Sequence, residues 1–141
     1  MPGLQITVKS EGPIFRGRGK AIVHKAAERT VEQAVNVGES HLHTLATFRP
    51  RGVFKTPGEA GRAASTGTYR RNIHGVRRNL LGHIHDNRVE YGPWLEGTDS
   101  RNKTTRFKGY HIWRQTNEMI QRKIPGMLKV HIKRAIKEIG G

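Results

Sequence analysis

The first residues of the chain alternate between apolar and polar side chains. Leu4, Ile6 and Val8 are separated by single polar residues, which is the period of a strand with one apolar face. Gly12-Pro13 ends this pattern and a basic segment follows it. We therefore assign residues 1–18 to an N-terminal strand and a connector.

From about Gly19 to Thr47 the spacing of apolar residues changes to three or four, the period of an amphipathic helix. Its small residues would let another element of the fold approach closely. Arg49-Pro50 ends the helix, because a residue that precedes proline disfavours helical backbone angles. The apolar face consists of Val23, Ala27, Val31, Ala34, Gly38, Leu42 and Leu45.

The segment from Tyr69 to Tyr91 has apolar residues among basic pairs and predicts two antiparallel strands. Asp86-Asn87 is the predicted tight turn between them, with Val89 and Tyr91 alternating in the second strand. Adjacent residues of a strand point to opposite faces. We therefore expect some arginines of the pairs to lie at a sheet edge, against a neighbour or solvent: Arg70, Arg71, Arg77 and Arg78.

A second helical pattern runs to the end of the chain. Tyr110, Trp113, Asn117, Ile120 and Ile124 share one face, and Leu128, Ile132, Ala135, Ile136 and Ile139 continue it. Pro125-Gly126 lies between the two parts and predicts a kink or a break. The order of elements predicts one α+β domain over residues 1–141, with a small antiparallel or mixed sheet packed against a long helix in the N-terminal half and a kinked C-terminal helix.

Residues 49–67 are rich in glycine, proline and basic side chains, and Val53 and Phe54 are their only bulky apolar residues. Such a composition cannot bury enough surface to order itself, so we expect an extended arm or loop that contacts a neighbouring subunit. The interface residues predicted in this arm are Arg49, Arg51, Phe54, Lys55 and Arg62.

The net charge of the chain limits the kinds of partner that it is expected to bind. There are 26 Lys and Arg against 11 Asp and Glu, a formal net charge of +15, which favours nucleic acid or acidic protein surfaces. The chain has 0 Cys, which excludes disulfide and thiolate chemistry. No apolar stretch is long enough for a membrane span and no secretory signal is recognisable, so we expect a cytoplasmic protein with no membrane partner.

The sequence contains only weak matches to catalytic and metal-binding motifs. His83 and His85 would share a strand face, but no HExxH or comparable metal spacing accompanies them. No serine lies in a GxSxG turn, and the acidic pair Glu90 and Glu96 suits ion pairs better than proton transfer. We therefore predict no enzyme activity, no metal, no cofactor and no small-molecule substrate. A small metal-dependent hydrolase is a third reading that would require bound zinc.

Nonspecific nucleic-acid binding is the main alternative function. Pairs of arginines and a basic arm could follow a phosphate backbone. No recognition helix, RRM-type aromatic strand or zinc finger is present in the sequence, so sequence-specific readout has no support.

The densest motif is "VEYGPWLEGT" at residues 89–98. We expect a strand that ends at Tyr91, one helical turn and a stop at Gly97. Trp94 and Leu95 would fill the space between sheet and terminal helix, so Trp94→Ala would lose about 3–5 kcal/mol of stability. Glu96 would pair with Arg101 or Arg106.

The order of these segments resembles the neck proteins of long-tailed bacteriophages, a family of tail-completion, tail-terminator and minor head–tail joining components. The similarity covers about residues 20–139, and the basic loop of residues 49–67 and the high net charge depart from it. The matching positions are Thr66, Gly67, Tyr69, Arg70 and Ile73, then Tyr91, Trp94, Glu96, Gly97 and Thr98, followed by Arg101-Asn102 and residues 106–110.

The resemblance implies a non-enzymatic virion protein that forms a homo-oligomeric ring, with six subunits in tail-terminator positions. Its neighbours would be head-completion or connector proteins and tail-tube proteins, and genomic DNA would pass through the lumen. The protein would reside in the host cytoplasm before assembly and in the virion neck afterwards. We expect the basic residues to contact protein neighbours, because an attractive lumen would slow DNA ejection. The candidate assembly residues outside the arm are Tyr69, Arg70, Arg71, Arg77, Arg78, Arg101 and Arg106, and the structural corner comprises Tyr91, Trp94, Glu96, Gly97, Thr98, Phe107 and Tyr110.

Overall fold

The structure, a computed structural model, describes residues 3–7, 17–46 and 68–140. The predicted arm and its residues Arg49, Arg51, Phe54, Lys55 and Arg62 lie outside the described residues. The elements in chain order are β1 (Gly3–Thr7), α1 (Gly17–Leu45), α2 (Thr68–Arg71), β2 (His74–Arg78), β3 (Leu81–His85), α3 (Gly92–Glu96), α4 (Arg101–Thr104) and α5 (Ile112–Gly140).

The strands form a three-stranded antiparallel sheet in the order β1-β3-β2. The turn between β2 and β3 lies at Asn79-Leu80, where Asn79 adopts a positive φ of 54°. The prediction of a hairpin turn at Asp86-Asn87 was therefore wrong, and Val89 and Tyr91 lie in no strand. Asparagine tolerates the left-handed region, which explains how residue 79 can close a tight hairpin.

Helix α1 covers one face of the sheet. Leu4, Ile6 and Ile84 are buried beneath it. Gly75 and Gly82 face the same helix, and a methyl group at either position would press on Val35. The absence of side chains at these two positions lets α1 lie close to the sheet, as the small residues of α1 itself also do.

Helices α1 and α5 pack antiparallel. His131 Nε2 lies 2.6 Å from Gln33 Oε1 in the middle of the pair. At the far end of α5, Glu138 contacts Arg29 at 2.7 Å and Lys25 at 2.9 Å. The hydrogen bonds from Arg29 and Lys25 lower the pKa of Glu138 to about 2. The predicted architecture of a small sheet with two long helices is confirmed.

Helix α5 continues through Pro125, which is exposed, so the proline does not divide it. Beyond Pro125 the buried positions are Met127, His131 and Ala135. Of the predicted continuation, Ala135 is confirmed as buried. Leu128, Ile132 and Ile136 were each one position too far along the chain: Leu128 and Ile132 are only partly buried and Ile136 is 49 % exposed. The side chain of Ile139 lies outside the described residues.

The core lies where α1, the first half of α5 and the inner face of the sheet meet. Among the described residues, no helix combines the length and apolar character that a membrane span requires. The core side chains include Leu4, Ile6, Val31, Ala34, Val35, Leu42, Tyr69, Ile73, Ile84, Leu95, Ile112, Trp113 and Ile120.

Candidate functional site: an aromatic corner and the surfaces around it

The chain between β3 and α5 is anchored by a buried polar group around Tyr69. The Tyr69 hydroxyl donates to Asp86 Oδ2 at 3.1 Å and accepts a hydrogen bond from Trp113 Nε1 at 2.9 Å. Burial raises the pKa of Tyr69 well above its ordinary value, so the hydroxyl stays a neutral donor. Tyr69 is 2 % exposed and belongs to α2, not to a strand. It is therefore a core residue and not the surface residue that we expected from the sequence.

Glu96 caps the N-terminus of α5. Its two carboxylate oxygens accept the main-chain N–H groups of Trp113 at 3.1 Å and Arg114 at 3.0 Å. The expected pairing of Glu96 with Arg101 or Arg106 was wrong. The first N–H groups of a helix have no partner within the helix, so a carboxylate placed there satisfies them and favours the helix dipole. Burial raises the pKa of Glu96, although the two N–H donors act in the opposite direction.

Two glycines let the corner fold back on itself. Helix α3 ends at Gly97, as predicted, with a φ of 104°, and Gly109 has a φ of 101°. A methyl group at Gly97 would overlap the carbonyl of Lys108, and one at Gly109 would overlap the carbonyl of Glu96. These segments are therefore in direct main-chain contact.

Asn102 holds the loop between α3 and α5. Its side-chain amide donates to the carbonyl of Trp94 at 3.2 Å and to that of Phe107 at 3.0 Å, while its Oδ1 accepts the N–H of Asp99 at 3.0 Å. Asn102 is 3 % exposed. The sequence analysis named Asn102 only as a position of the resemblance and did not predict its role in holding the loop.

The outer side of the corner is aromatic. The rings of Trp94 and Phe107 meet edge-on at 5.0 Å, and Phe107 and Tyr110 at 5.1 Å. Arg101 lies 5.2 Å above the Trp94 ring and is held by Asp99 at 2.9 Å. Trp94 is only partly buried, so it covers the corner, and Leu95, 1 % exposed, is the residue that fills it.

Three other predicted corner and surface residues are also placed. Tyr91 is partly buried, with its ring 6.0 Å from that of Tyr69. Thr98 is exposed and its hydroxyl donates to the carbonyl of Pro93 at 3.4 Å. Arg106 is exposed. None of these positions adds a reactive group to the corner, which is a structural joint between sheet and terminal helix.

The histidines do not form a metal centre in the described part of the chain. His83 and His85 share the outer face of the sheet, as predicted, with ring centroids 5.5 Å apart, and His74 lies 6.1 Å from His85. Among the residues that the structure describes, no group of three or more His, Cys, Asp or Glu side chains is arranged to hold a metal ion.

The outer face of the sheet is exposed to solvent. Val76 is 53 % exposed and Leu81 is 42 % exposed, and these two are diagonal neighbours across the β2–β3 pair. His74, Arg78 and His83 surround them and are also exposed. The face therefore combines two bulky apolar side chains with groups that carry or can accept positive charge.

Among the described residues, no strand pairs with the outer edge of β1. The N–H of Gly75 in β2 donates to Glu39 Oε2 at 2.8 Å, so it points away from β3. Hydrogen-bonding direction alternates along antiparallel strands. Gly75 is paired with Ile84, so the main-chain groups of Ile84 point away from β2 and towards Leu4 of β1. The groups of Leu4 therefore point towards β3, and those of its neighbours Gly3, Gln5 and Thr7 point away from the sheet.

A groove of about 530 Å³ lies beside this edge, between β1 and the N-terminus of α5. Gln5, Thr98, Arg114 and Asn117 line it together with Glu96. Because Glu96 already binds two N–H groups of α5, the groove has no available carboxylate for acid–base chemistry.

The basic pairs that the sequence singled out fall on two different elements. Arg70 and Arg71 are exposed on α2, so the prediction that they lie on a strand was wrong. Arg77 lies on β2 and its guanidinium contacts Glu32 of α1 at 3.0 Å, while Arg78 is exposed. One member of the second pair is thus used within the protomer and the other is available on the surface.

Comparison of the chain with protein-family models, with curated proteins and with solved structures finds no match.

Proposed function

We propose that this chain is a structural virion protein of the head–tail junction of a long-tailed bacteriophage, and that it works by assembling into a ring, without catalysis. The corner motif that carries the resemblance supports this proposal, because its polar side chains hold the protomer together. Tyr69, Asp86, Glu96 and Asn102 are all buried and all engaged in structural hydrogen bonds.

The uncovered sheet is the observation that carries the proposal. A sheet this small needs an apolar face packed against another layer, and α1 provides that layer on one side. Helix α1 buries one face, whereas Val76 and Leu81 stand exposed on the other. Contiguous exposed apolar side chains with a polar rim are typical of protein interfaces. A neighbouring subunit that covers this face would bury both residues.

The two edges of the sheet are not equivalent. The β1 edge has outward-pointing main-chain groups beside a groove, whereas the β2 edge is partly occupied by the bond from Gly75 to Glu39 and flanked by the Arg77–Glu32 pair. An open edge is a template for pairing with another chain, and a blocked edge prevents it. The blocked β2 edge excludes strand pairing between β1 of one subunit and β2 of the next. In the proposed ring the outer face of the sheet therefore makes the head-to-tail contact, and such a contact generates a closed ring when the rotation between subunits closes.

The ring proposed here has six subunits. It joins head-completion or connector proteins to tail-tube proteins and encloses the path of the genomic DNA. The structural corner serves this role by fixing α5 relative to the sheet, so that all subunits present the same surfaces. Neither catalysis nor a small-molecule substrate is part of the proposal.

The test is complementation in a phage whose genome encodes this chain. An amber mutation in the gene is expected to yield DNA-filled heads and separate tails, and the wild-type gene to restore joined particles. A double variant, Val76→Glu with Leu81→Glu, should fail to restore joining. Asn36→Glu, at an exposed position on α1, is the control and should restore it. Joined particles from the amber mutant without complementation would refute the proposal.

A further inference from the structure

The solvent face of α5 carries six exposed basic side chains between residues 122 and 137. We call them the basic face of α5: Arg122, Lys123, Lys129, Lys133, Arg134 and Lys137. The opposite side of the same helix is the buried face with Ile120, Met127, His131 and Ala135. The separation of the two faces follows the helical period, so the basic side chains project together into solvent.

Few carboxylates lie near this face on its own helix. Residues 119–137 contain neither Asp nor Glu, and Glu118, one turn before Arg122, forms no ion pair with it among the described residues. Glu138, which follows them, is bound to Lys25 and Arg29 of α1. Within the described residues, the ion pairs involve other side chains, and none includes a member of the basic face. The six charges therefore act in concert on an external partner.

We propose that the basic face of α5 binds the phosphate backbone of double-stranded DNA without sequence preference. From Arg122 to Lys137 the helix extends about 22 Å at 1.5 Å per residue. Phosphates of one DNA strand follow one another at about 3.4 Å along the axis, so the face spans about six nucleotide steps. Lys129, Lys133 and Lys137 are each about one helical turn apart, about 6 Å, which is close to two phosphate steps along the axis.

A protein partner fits this surface poorly. The centres of protein interfaces are enriched in aromatic residues and depleted in lysine. The basic face has lysine at four of its six positions. Two large apolar side chains are exposed beside it, Val130 at 53 % and Ile136 at 49 %, and they are six residues apart. This composition differs from the outer face of the sheet, where two apolar side chains lie together. The two surfaces therefore suit different partners.

Single-stranded nucleic acid is also disfavoured as the occupant. Proteins that bind single strands stack the bases on aromatic side chains. Residues 122–137 contain no Phe, Tyr or Trp, and the one histidine among them, His131, is buried. A surface of flexible cations without a stacking platform is suited to the regular backbone of a duplex.

The inference depends on α5 alone and goes beyond the proposed ring. For these six residues it replaces the expectation from the sequence that basic side chains contact protein neighbours. The experiment is fluorescence anisotropy with a labelled 25-base-pair duplex of arbitrary sequence, titrated at salt concentrations from 50 to 200 mM. Each phosphate contact contributes about −0.9 to the slope of log K against log salt. The full chain is expected to bind at 50 mM salt with a slope between about −4 and −5.

A triple variant, Lys129→Gln, Lys133→Gln and Lys137→Gln, should reduce the magnitude of this slope by about 2 to 3. The matched control is Lys20→Gln, Lys103→Gln and Arg106→Gln, which removes the same charge from exposed positions elsewhere. The control should reduce the slope magnitude by less than about 1. Circular dichroism of both variants confirms that the helices are retained.

Three results would overturn the inference: no binding by the wild type at 50 mM salt, equal losses in the two triple variants, or equally tight binding of polyglutamate under the same conditions. The last result would assign the face to an acidic protein. Ring formation is measured without DNA, so a protein that forms no rings and still shows the α5-dependent slope retains this inference and loses the proposed function.

Discussion

The indole N–H of Trp113 lies 2.9 Å from the hydroxyl oxygen of Tyr69, although the two residues are 44 positions apart in the chain. This hydrogen bond joins the start of α5 to α2, and the bond from Tyr69 to Asp86 extends the connection to the end of β3. The corner motif thus lies between elements that are already fixed to one another. Its stability depends on a few buried polar groups, each of which can be tested.

Tyr69→Phe is expected to destabilise the protein by about 1–3 kcal/mol, because it leaves the indole N–H of Trp113 and one oxygen of Asp86 buried without this partner. Urea denaturation at neutral pH measures the change. Tyr91→Phe removes the same hydroxyl from a partly buried tyrosine nearby and should change stability by less than about 0.5 kcal/mol. Equal losses of stability in the two variants would show that the buried hydrogen bonds of Tyr69 do not stabilise the protein.

Glu96→Gln tests the cap of α5 through its pH dependence. Burial raises the pKa of Glu96 above its ordinary value of 4.5, so the native state binds a proton more tightly than the unfolded state. The stability of wild type relative to Glu96→Gln should therefore decrease as pH rises above 4.5. Urea denaturation of both proteins from pH 4 to pH 7 gives this difference, and an increase with pH would contradict the assigned direction.

Gly97→Ala should destabilise the fold by about 2–4 kcal/mol, since an alanine with positive φ is strained and its methyl group meets the carbonyl of Lys108. Thermal denaturation measures the effect. Gly126→Ala is the control, because a methyl group at Gly126 has no heavy atom within 4 Å and its φ is not positive. Alanine favours a helix over glycine, so the control should be neutral or stabilising. Similar losses at both positions would argue against the close contact at the corner.

His131→Met addresses the contact between α1 and α5. Burial lowers the pKa of His131 below 6.5, and the nearby positive charges of Arg134 and Arg29 lower it further. The carboxylate of Glu32 acts in the opposite direction. In the window below 6.5 the unfolded state binds more protons, so wild-type stability should fall as the pH decreases through that window. The methionine variant should lose less stability between pH 7.5 and pH 5.5.

The control for this prediction is His24→Gln, at an exposed position of α1. It should retain the wild-type slope of stability against pH. If stability depends on pH in the same way in His131→Met and in wild type, another group is responsible for the acid sensitivity.

The long helices were predictable because local spacing determines them. The apolar residues of α1 follow the helical period without interruption, and the predicted bounds differ from Gly17–Leu45 by about two residues. In α5 the period also continues from Ile120 through Ile124, Met127 and His131. The predicted face after Pro125-Gly126 included Ala135 correctly but placed Leu128 and Ile132 where Met127 and His131 are the buried positions. An exposed proline leaves the helical register unchanged.

The hairpin and the cap could not be predicted from local patterns. Asp86-Asn87 is a genuine turn, in which Asp86 Oδ1 accepts the N–H of Arg88 at 3.1 Å, but it leads into the corner and not into a strand. Glu96 caps a helix that begins 16 residues later in the chain, and its hydrogen-bond partner Trp113 is 17 residues away. Nearby arginines suggested ion pairs, whereas the fold provides stronger partners, the N–H groups of a helix, from a distant segment.

The ring is the central claim, and negative-stain electron microscopy of the purified full chain at high concentration tests it most directly. The wild type should give closed rings with six-fold symmetry in class averages, and the Val76→Glu, Leu81→Glu double variant should give small single particles. Uniform monomers of the wild type, with no rings at any concentration, would contradict the claim.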